Sequence, residues 1–197
     1  MLRVRSYITP MLCRYTDYYQ GVHNLSFANH SIRDPDLTEL GKKQCADLAK
    51  AFPYNTQITA IVASPLKRTI YTALESFPAP IKRKELKVIA LPEIQETSDL
   101  PCDTGSVVKD LENEFGGKPV DLRLVKEVGD SWCDKSEGTP WAPYANKIRE
   151  RAKKARQWLR SLDETDVVVV THGGFLHYLT EDWHGHDKFP GMNASSA

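Results

Sequence analysis

The chain has 197 residues, with 26 Lys and Arg balanced by 26 Asp and Glu, so its formal net charge at pH 7 is zero. This length is typical of one domain whose core needs no disulfide or structural metal. Zero net charge provides no global positive field for nucleic acid or an anionic membrane, and no apolar run approaches the ~20 residues of a transmembrane helix. We therefore expect one domain over residues 1–197 that binds neither nucleic acid nor a membrane.

The four cysteines are dispersed along the chain, and no two of them form a CxxC pair. This distribution favours reduced thiols in an intracellular protein over a zinc site or a disulfide framework, and neither a metal nor another cofactor is predicted. The first fifteen residues carry arginines and no acid, as mitochondrial transit peptides do, but Pro10 would interrupt their helix. We expect a cytoplasmic protein, with a mitochondrial location as the alternative.

The first half of the chain predicts a helix, a strand and a second helix. Asp36 is the expected N-cap of the first helix, because a glutamate follows three residues later. Four apolar side chains would share the buried face of this helix: Leu37, Leu40, Leu48 and Phe52. Residues 58–63 (ITAIVA) have the length and β-branched content of a buried strand. Ser64 and Pro65 then predict the N-cap and first residue of a helix that ends near Phe77.

The second half begins with a predicted strand at residues 86–91 and a region of loops and short elements at residues 92–143. A long helix is predicted at residues 144–162, with its Lys and Arg side chains in solvent. Its expected core stripe is Ile148, Ala152, Ala155, Leu159 and Leu162. Residues 166–170 (DVVVV) are the clearest strand, and a final helix begins at Gly173 before a tail at residues 184–197. Strands that alternate with helices predict an α/β fold with a mainly parallel sheet covered on both faces.

Two of the predicted strands end in polar residues at the start of a helix, with Arg68 after the first and His172 after the last. Ligands of parallel sheets bind outside the carboxyl ends of the strands, where helix N-termini present free N–H groups. Arg68 can grip a phosphate with two N–H groups, and His172 can act as donor, nucleophile or proton carrier. Either residue alone is more often structural, but the two together predict an anion pocket.

Three segments match recurring motifs in the same order along the chain. Residues 64–73 (SPLKRTIYTA) are similar to SPLxRTxxTA, residues 36–44 (DLTELGKKQ) to (D/P)LTxxGxxQ, and residues 170–174 (VTHGG) to a second-histidine motif. Together they resemble the histidine phosphatase superfamily, the phosphoglycerate-mutase-like proteins. Residues 91–105 and 175–183 resemble the branch of this family that is common in filamentous fungi. The resemblance extends from about Gln20 to Trp183.

The resemblance implies a three-layer α/β/α sandwich and metal-free phosphoryl transfer through a phosphohistidine. In that scheme one histidine attacks phosphorus, a second histidine and two arginines hold the phosphoryl oxygens, and a carboxylic acid protonates the leaving oxygen. His172 matches the second histidine, Arg68 the second arginine and Glu96 the proton donor, with Glu93 as a less favoured donor. Glu96 must then stay protonated near neutral pH, which burial or a nearby phosphate can arrange.

Two further residues are implied to lie close to the bound phosphate. Gly173 follows the second histidine directly, and Asn24 belongs to the segment that adjoins the nucleophile in this branch. The expected ligand is a small phosphorylated or anionic metabolite. Its identity would depend on the insertion at residues 92–143, where Trp132, Lys135 and Trp141 either line a pocket or pack in the core.

The chain departs from the family at the nucleophile. The family opens with Arg-His-Gly or Arg-His-Ala, followed in this branch by residues like 20–24 (QGVHN), and counting back places Asp17, Tyr18 and Tyr19 at those three positions. The nucleophilic histidine and the first arginine are therefore absent, with Asp17 and Tyr18 as the candidate replacements. His23 is a less favoured rescue nucleophile, because its matched role is that of a neighbour.

Three interpretations follow from this departure. Loss of a covalent nucleophile lowers kcat on the order of 10⁴–10⁶, so a chain with this amino terminus would be a very poor phosphatase by the family's route. Either the natural amino terminus differs and the protein is an ordinary phosphatase, or Glu96, His172 and Tyr18 perform redirected acid–base chemistry as a lyase, isomerase or dehydratase. The third interpretation is a non-catalytic protein that retains the anion pocket. An enzyme is favoured overall.

Overall fold

The computed structural model describes residues 31–183. The helices are α1 (Glu39–Ala51), α2 (Lys67–Ser76), α3 (Pro78–Lys84), α4 (Val108–Phe115), α5 (Arg123–Val128), α6 (Ala145–Arg160) and α7 (Gly173–Thr180). The strands are β1 (Ala60–Ala63), β2 (Val88–Ala90), β3 (Val120–Asp121) and β4 (Val167–Val170). The predictions for Asp17, Tyr18, His23, Asn24 and residues 184–197 lie outside the described residues.

The four strands form one sheet in the order β3-β2-β1-β4, and every neighbouring pair is parallel. In the centre of the sheet, Ile61 is in register with Val88 on one side and Val168 on the other. The predicted parallel sheet is therefore confirmed. Consecutive parallel strands need a crossover connection, which here is made by helices.

The sheet is covered on both faces. Successive strand residues point to opposite sides, so alternate residues pack in different clusters. Ala60, Val62, Val167 and Val169 pack in one cluster with the apolar stripe of α6 and with Phe175 of α7. The alternate residues Ile61, Ala63, Val88 and Val168 pack on the other side with Phe52, Ala73 and Phe77. The three-layer α/β/α arrangement expected from the family resemblance is confirmed.

A third apolar cluster lies beneath the region that was predicted to consist of loops and short elements. Residues 92–143 contain α4, β3, α5 and three 3-10 turns, at Pro92–Ile94, Pro101–Asp103 and Gly129–Cys133. Trp132 and Trp141 are buried in this cluster together with Leu66 and Ile70. Both tryptophans therefore pack in the core and do not line a pocket.

The start of α1 differs from the prediction. Thr38 is the N-cap, and its Oγ1 atom accepts a hydrogen bond from the Gly41 N–H at 3.1 Å. The assignment of Asp36 as N-cap is therefore wrong. Leu40 was predicted on the buried face but is 45% exposed, whereas Leu37 and Phe52 are buried as predicted. Within the helix, the buried residues are Gly41 and Cys45.

The start of α2 also differs, and this difference changes the site. The helix begins at Lys67 after an extended Leu66 that provides no side-chain cap. The Lys67 N–H donates to Oδ1 of Asp34 at 2.9 Å. The prediction that Ser64 and Pro65 cap and begin this helix is wrong, because Leu66 is the N-cap. The Ser64 hydroxyl accepts from the Leu66 N–H at 3.4 Å and also lies against His172.

The long helix α6 confirms most of its predicted core stripe. Ile148, Ala152, Ala155 and Leu159 are buried. The prediction that its Lys and Arg side chains lie in solvent is wrong for Arg151, which is only 2% exposed. Within residues 31–183, no helix combines the length and apolar character needed to cross a membrane.

Candidate phosphate site at the carboxyl edge of the sheet

The structure brings Arg68 and His172 together at the carboxyl edge of the sheet. Strands β1 and β4 are in register at their last residues, Ala63 and Val170, so the residues that follow start at the same level. Arg68 lies in the first turn of α2, and His172 precedes α7. The Arg68 Nη2 atom is 3.1 Å from the Nδ1 atom of His172. Each side chain reaches this edge because its helix begins directly beyond a strand.

The His172 ring is held on both of its nitrogens. Arg68 can only donate, so the Nδ1 atom of His172 accepts and its Nε2–H donates to Oγ of Ser64 at 2.9 Å. Burial lowers the pKa of His172 well below its ordinary value, and the positive charges of Arg68, Lys135 and Arg151 lower it further. His172 is therefore a neutral imidazole with its proton on Nε2, and sequence reasoning did not identify Ser64 as its partner.

The Arg68 guanidinium is anchored by two consecutive residues of the turn Pro101–Asp103. Its Nη1 atom donates to the main-chain oxygen of Cys102 at 2.5 Å, and its Nη2 atom donates to Oδ1 of Asp103 at 2.9 Å. The second oxygen of Asp103 accepts from the Ser98 hydroxyl at 2.5 Å. Asp103 lies inside the segment that resembles the fungal branch, but sequence reasoning assigned it no role.

Glu96 lies beside the N-terminus of α7. Its Oε1 atom accepts hydrogen bonds from the N–H groups of Thr97 at 2.8 Å and Phe175 at 3.1 Å. Burial raises the pKa of Glu96, and the negative charge of Asp103 raises it further, while Arg68 and Lys135 act in the opposite direction. The hydrogen bond from the Thr97 N–H also lowers it. The net shift of the pKa is upward, in the direction that a proton donor needs.

Close approach of α7 to the Glu96 carboxyl depends on a glycine. A Cβ atom at Gly174 would lie 2.7 Å from Oε1 of Glu96, a distance that would force the carboxyl group to move. Gly173, which the sequence placed near the phosphate, is exposed and has open space where a side chain would be. The two adjacent glycines therefore have different surroundings.

Two buried cations hold the loop that carries Glu96. The Nζ atom of Lys135 donates to the main-chain oxygens of Glu96 at 2.9 Å and Ser98 at 2.5 Å. Arg151 donates to the main-chain oxygens of Gln95 at 2.9 Å and Glu96 at 3.3 Å. Burial lowers the pKa of Lys135 to about 8 and that of Arg151 to about 10. The main chain from Gln95 to Ser98 is therefore held by hydrogen bonds from two buried cations.

The two cations could be identified from the sequence to different extents. Lys135 was considered as either a pocket residue or a packing residue, and it is buried beneath the site. Arg151 was missed, although it stands three residues after Ile148 and next to Ala152. Positions three and four apart share a helix face, so this spacing was the available signal. Glu93 contributes a main-chain oxygen to Arg151.

No group of three or more His, Cys, Asp or Glu side chains suited to a metal ion occurs among residues 31–183. Of the cysteines described in this range, Cys45 and Cys133 are buried and Cys102 is half-buried. The residues that meet at the sheet edge are instead an arginine, a neutral histidine and carboxyl groups, which can hydrogen-bond an oxyanion and exchange a proton with it.

Comparison with known proteins identifies sequences similar to this chain. A sequence profile of the histidine phosphatase superfamily (branch 1) matches residues 23–192. A protein of Schizosaccharomyces pombe named as a probable phosphatase is 32% identical over 149 residues, which cover 73% of this chain and 65% of that protein. Phosphoserine phosphatase 1 of Hydrogenobacter thermophilus is 34% identical over 141 residues, or 72% of this chain and 61% of that protein.

Other relatives carry a different name, and a solved structure shares the fold. Phosphoglycerate mutase-like protein 1 of Arabidopsis thaliana is 28% identical over 188 residues, covering 81% of this chain and 67% of that protein. The structure of the ecdysone phosphate phosphatase of Bombix mori in complex with tungstate matches with a TM-score of 0.52 at 17% identity. The match covers 81% of this chain and 60% of that chain. The matched region spans 61–67% of the length of the three sequence relatives.

Proposed function

The chain belongs to the histidine phosphatase superfamily, and we propose on that premise that it is a phosphatase-type hydrolase acting on a small phosphorylated or anionic metabolite. The observation that carries the proposal is the 3.1 Å contact between Arg68 and His172 at the ends of two register-paired strands. Relatives named as phosphatases support the same class of reaction.

In the proposed complex, Arg68 and His172 hold the phosphoryl oxygens. Arg68 supplies charged N–H groups, which form shorter and stronger hydrogen bonds to phosphate than neutral donors do. His172 is neutral and carries its proton on Nε2, so it adds one N–H donor once it releases Ser64. Gly173 and Asn24 complete the proposed phosphate contacts.

Glu96 is the proposed proton donor to the leaving oxygen. A general acid works best when its pKa is near the operating pH, and burial together with Asp103 raises the pKa of Glu96 toward that range. The loop beneath it is held by Lys135 and Arg151, which keeps the carboxyl group aimed at the N-terminus of α7. These contacts favour Glu96 over Glu93 as the donor.

The position that the family resemblance assigns to the nucleophile carries a different residue in this chain. Tyr18 stands where the family places its nucleophilic histidine, and Asp17 stands at the first arginine, where its charge would repel a phosphate. This substitution favours a second candidate function, a non-catalytic anion-binding protein. Redirected acid–base chemistry by Glu96 and His172 with Tyr18 is the remaining alternative.

The proposal is tested by incubating the purified chain with p-nitrophenyl phosphate while phosphate release and intact protein mass are followed. We expect slow release that Arg68→Ala and His172→Ala abolish, because both remove phosphate contacts. Arg149→Ala removes an exposed arginine of α6 and serves as the matched control. A mass increase of one phosphoryl group would identify a covalent route.

Two other results would change the conclusion. Calorimetric binding of inorganic phosphate without any release, lost in Arg68→Ala, would replace the hydrolase with the anion-binding candidate. If the protein neither bound nor released phosphate, the proposed phosphate site itself would be contradicted.

A further inference from the structure

We propose that Asp103 is a positioning residue that orients the Arg68 guanidinium beside His172 and acts on Glu96 through its negative charge. The inference rests on the proposed function, because it assigns Arg68 to phosphate and Glu96 to proton donation. Asp103 touches neither reacting group of the substrate in this scheme. It acts through the two side chains that do.

The geometry of Arg68 carries the first part of the inference. Among the described residues, its terminal nitrogens contact His172 and two acceptors of the turn Pro101–Asp103. The guanidinium group is planar and its N–H groups form a fixed fork. Acceptors on consecutive residues, Cys102 and Asp103, therefore set the plane of the fork and direct the remaining Nη2 donor toward His172.

Asp103 is itself fixed well enough to act as an anchor. The Ser98 hydroxyl donates to its Oδ2 atom at 2.5 Å, and its N–H donates to the oxygen of Leu100 at 2.9 Å. In the ion pair, the Asp103 side chain is 13% exposed and the Arg68 side chain is 8% exposed. Solvent therefore screens the pair weakly. The charge and the position of Asp103 can then affect both Arg68 and Glu96.

The second part concerns the charges that face Glu96 from each neighbouring element. Lys135 donates to the main-chain oxygens of Glu96 and Ser98, and the Ser98 hydroxyl donates to Asp103, so a chain of hydrogen bonds links the two acidic residues. The cations around Glu96 are Lys135 from the segment before α6, Arg68 from α2 and Arg151 from α6. Asp103 raises the pKa of Glu96, and the facing cations lower it. Removing the charge of Asp103 leaves the cations unopposed, so Glu96 would lose its proton at lower pH.

Two substitutions separate the positional effect from the charge effect. Asp103→Asn removes the negative charge but keeps an oxygen that accepts from Arg68, whereas Asp103→Ala removes both. Asp99→Asn, on an exposed residue of the same loop, is the matched control. Inorganic phosphate binding is measured by calorimetry, and hydrolysis of p-nitrophenyl phosphate is measured as a function of pH. Thermal unfolding verifies that each variant is folded.

Asp103→Asn should bind phosphate about tenfold more tightly than the wild type, because a negative charge beside the anion is gone. Its activity should also decline at lower pH than that of the wild type, because a general acid fails once it is deprotonated. Asp103→Ala should bind phosphate about tenfold or more weakly than Asp103→Asn, since it lacks the acceptor that orients Arg68. Asp99→Asn should match the wild type in both measurements.

Equal phosphate affinity in the Asn and Ala variants would overturn the positioning role. Equal affinity in Asp103→Asn and the wild type, or an unchanged alkaline limit of activity, would overturn the charge effect. Phosphate binding without turnover would contradict hydrolysis, yet the affinities would still decide both parts of the inference. Absence of binding in every protein would contradict the inference and the proposed function together.

Discussion

The Nη2 atom of Arg68 donates to the Nδ1 atom of His172 across 3.1 Å, although the two residues are 104 positions apart in the chain. This contact requires His172 to be neutral, because a protonated imidazole has no acceptor on Nδ1. It also places the proton on Nε2, which faces Ser64. The protonation state of His172 therefore follows from the fold.

Replacing His172 with Gln should make stability less dependent on acid pH. Burial lowers the pKa of His172 in the folded protein, whereas in the unfolded chain it is about 6.5. Below that pH the unfolded state binds a proton that the folded state does not, so stability falls as pH falls. We expect the free energy of unfolding of the wild type to decrease more than that of His172→Gln between pH 7 and pH 5 in urea titrations without phosphate. His177→Gln controls for the loss of a histidine, and parallel curves would contradict the prediction.

Replacing Glu96 with Gln should lower turnover while improving stability at neutral pH. The pKa of Glu96 is raised in the folded protein, so above the unfolded-state value of about 4.3 the unfolded chain releases a proton that the folded chain keeps. Stability of the wild type then falls as pH rises, and Glu96→Gln removes this loss. Phosphate release should fall about 10²–10⁴-fold. A larger loss of release in Glu93→Gln would reassign the donor.

Lys135→Met should reveal the buried ammonium through alkaline pH. Burial lowers the pKa of Lys135 to about 8 from 10.5. Between those values the unfolded chain binds a proton that the folded chain has released, so the wild type gains stability as pH rises through this window. In denaturant titrations, we expect the free energy of unfolding of the wild type to increase relative to that of Lys135→Met between pH 7.5 and pH 9.5. Lys154→Met, at an exposed position of α6, provides the comparison. If the difference in free energy of unfolding between the wild type and Lys135→Met stayed constant with pH, the pKa of Lys135 would not be lowered in the folded protein.

Alanine at the two adjacent glycines of α7 should have opposite effects. Gly173→Ala places its methyl group in open space and should stabilise the helix by up to about 1 kcal/mol. Gly174→Ala would place a carbon 2.7 Å from Oε1 of Glu96 and 2.9 Å from Oγ1 of Thr97, which should cost about 1–3 kcal/mol through displaced side chains. Chemical unfolding measures both. If the two variants were equally stable, the Glu96 carboxyl group would be able to move aside without loss of free energy of unfolding.

The cap of α1 can be tested in the same way. Thr38→Ala removes the hydroxyl that accepts from the Gly41 N–H and should destabilise the protein by about 1 kcal/mol. Asp36→Ala, the residue that the sequence pattern favoured, should change the free energy of unfolding by much less. The reverse order would restore Asp36 as the cap.

Local patterns in the sequence were sufficient for the architecture and for part of the site. The β-branched strands and the apolar stripe of α6 follow from hydrophobic periodicity, which depends only on neighbouring residues. Arg68 and His172 could be paired in advance because both follow strands of a parallel sheet, whose carboxyl ends meet at one edge. The motifs around them identified the family before any contact was known.

Two of the errors arose where a polar group has competing partners far away in the chain. Ser64 has the residue type of an N-cap, but its hydroxyl bonds His172, which is 108 positions away, while Asp34 accepts from the first N–H of α2. Arg151 has the residue type of a surface side chain, but its guanidinium donates hydrogen bonds to main-chain oxygens of the loop that carries Glu96.

The sequence alone therefore predicted the fold class, and it predicted that Arg68 and His172 meet at one edge of the sheet, as the structure shows. Folding determined the protonation of His172, the raised pKa of Glu96 and the pairing of Arg68 with Asp103. The reason is physical: periodicity is a local property, whereas desolvation and charge interactions depend on which distant groups the fold brings within a few ångströms.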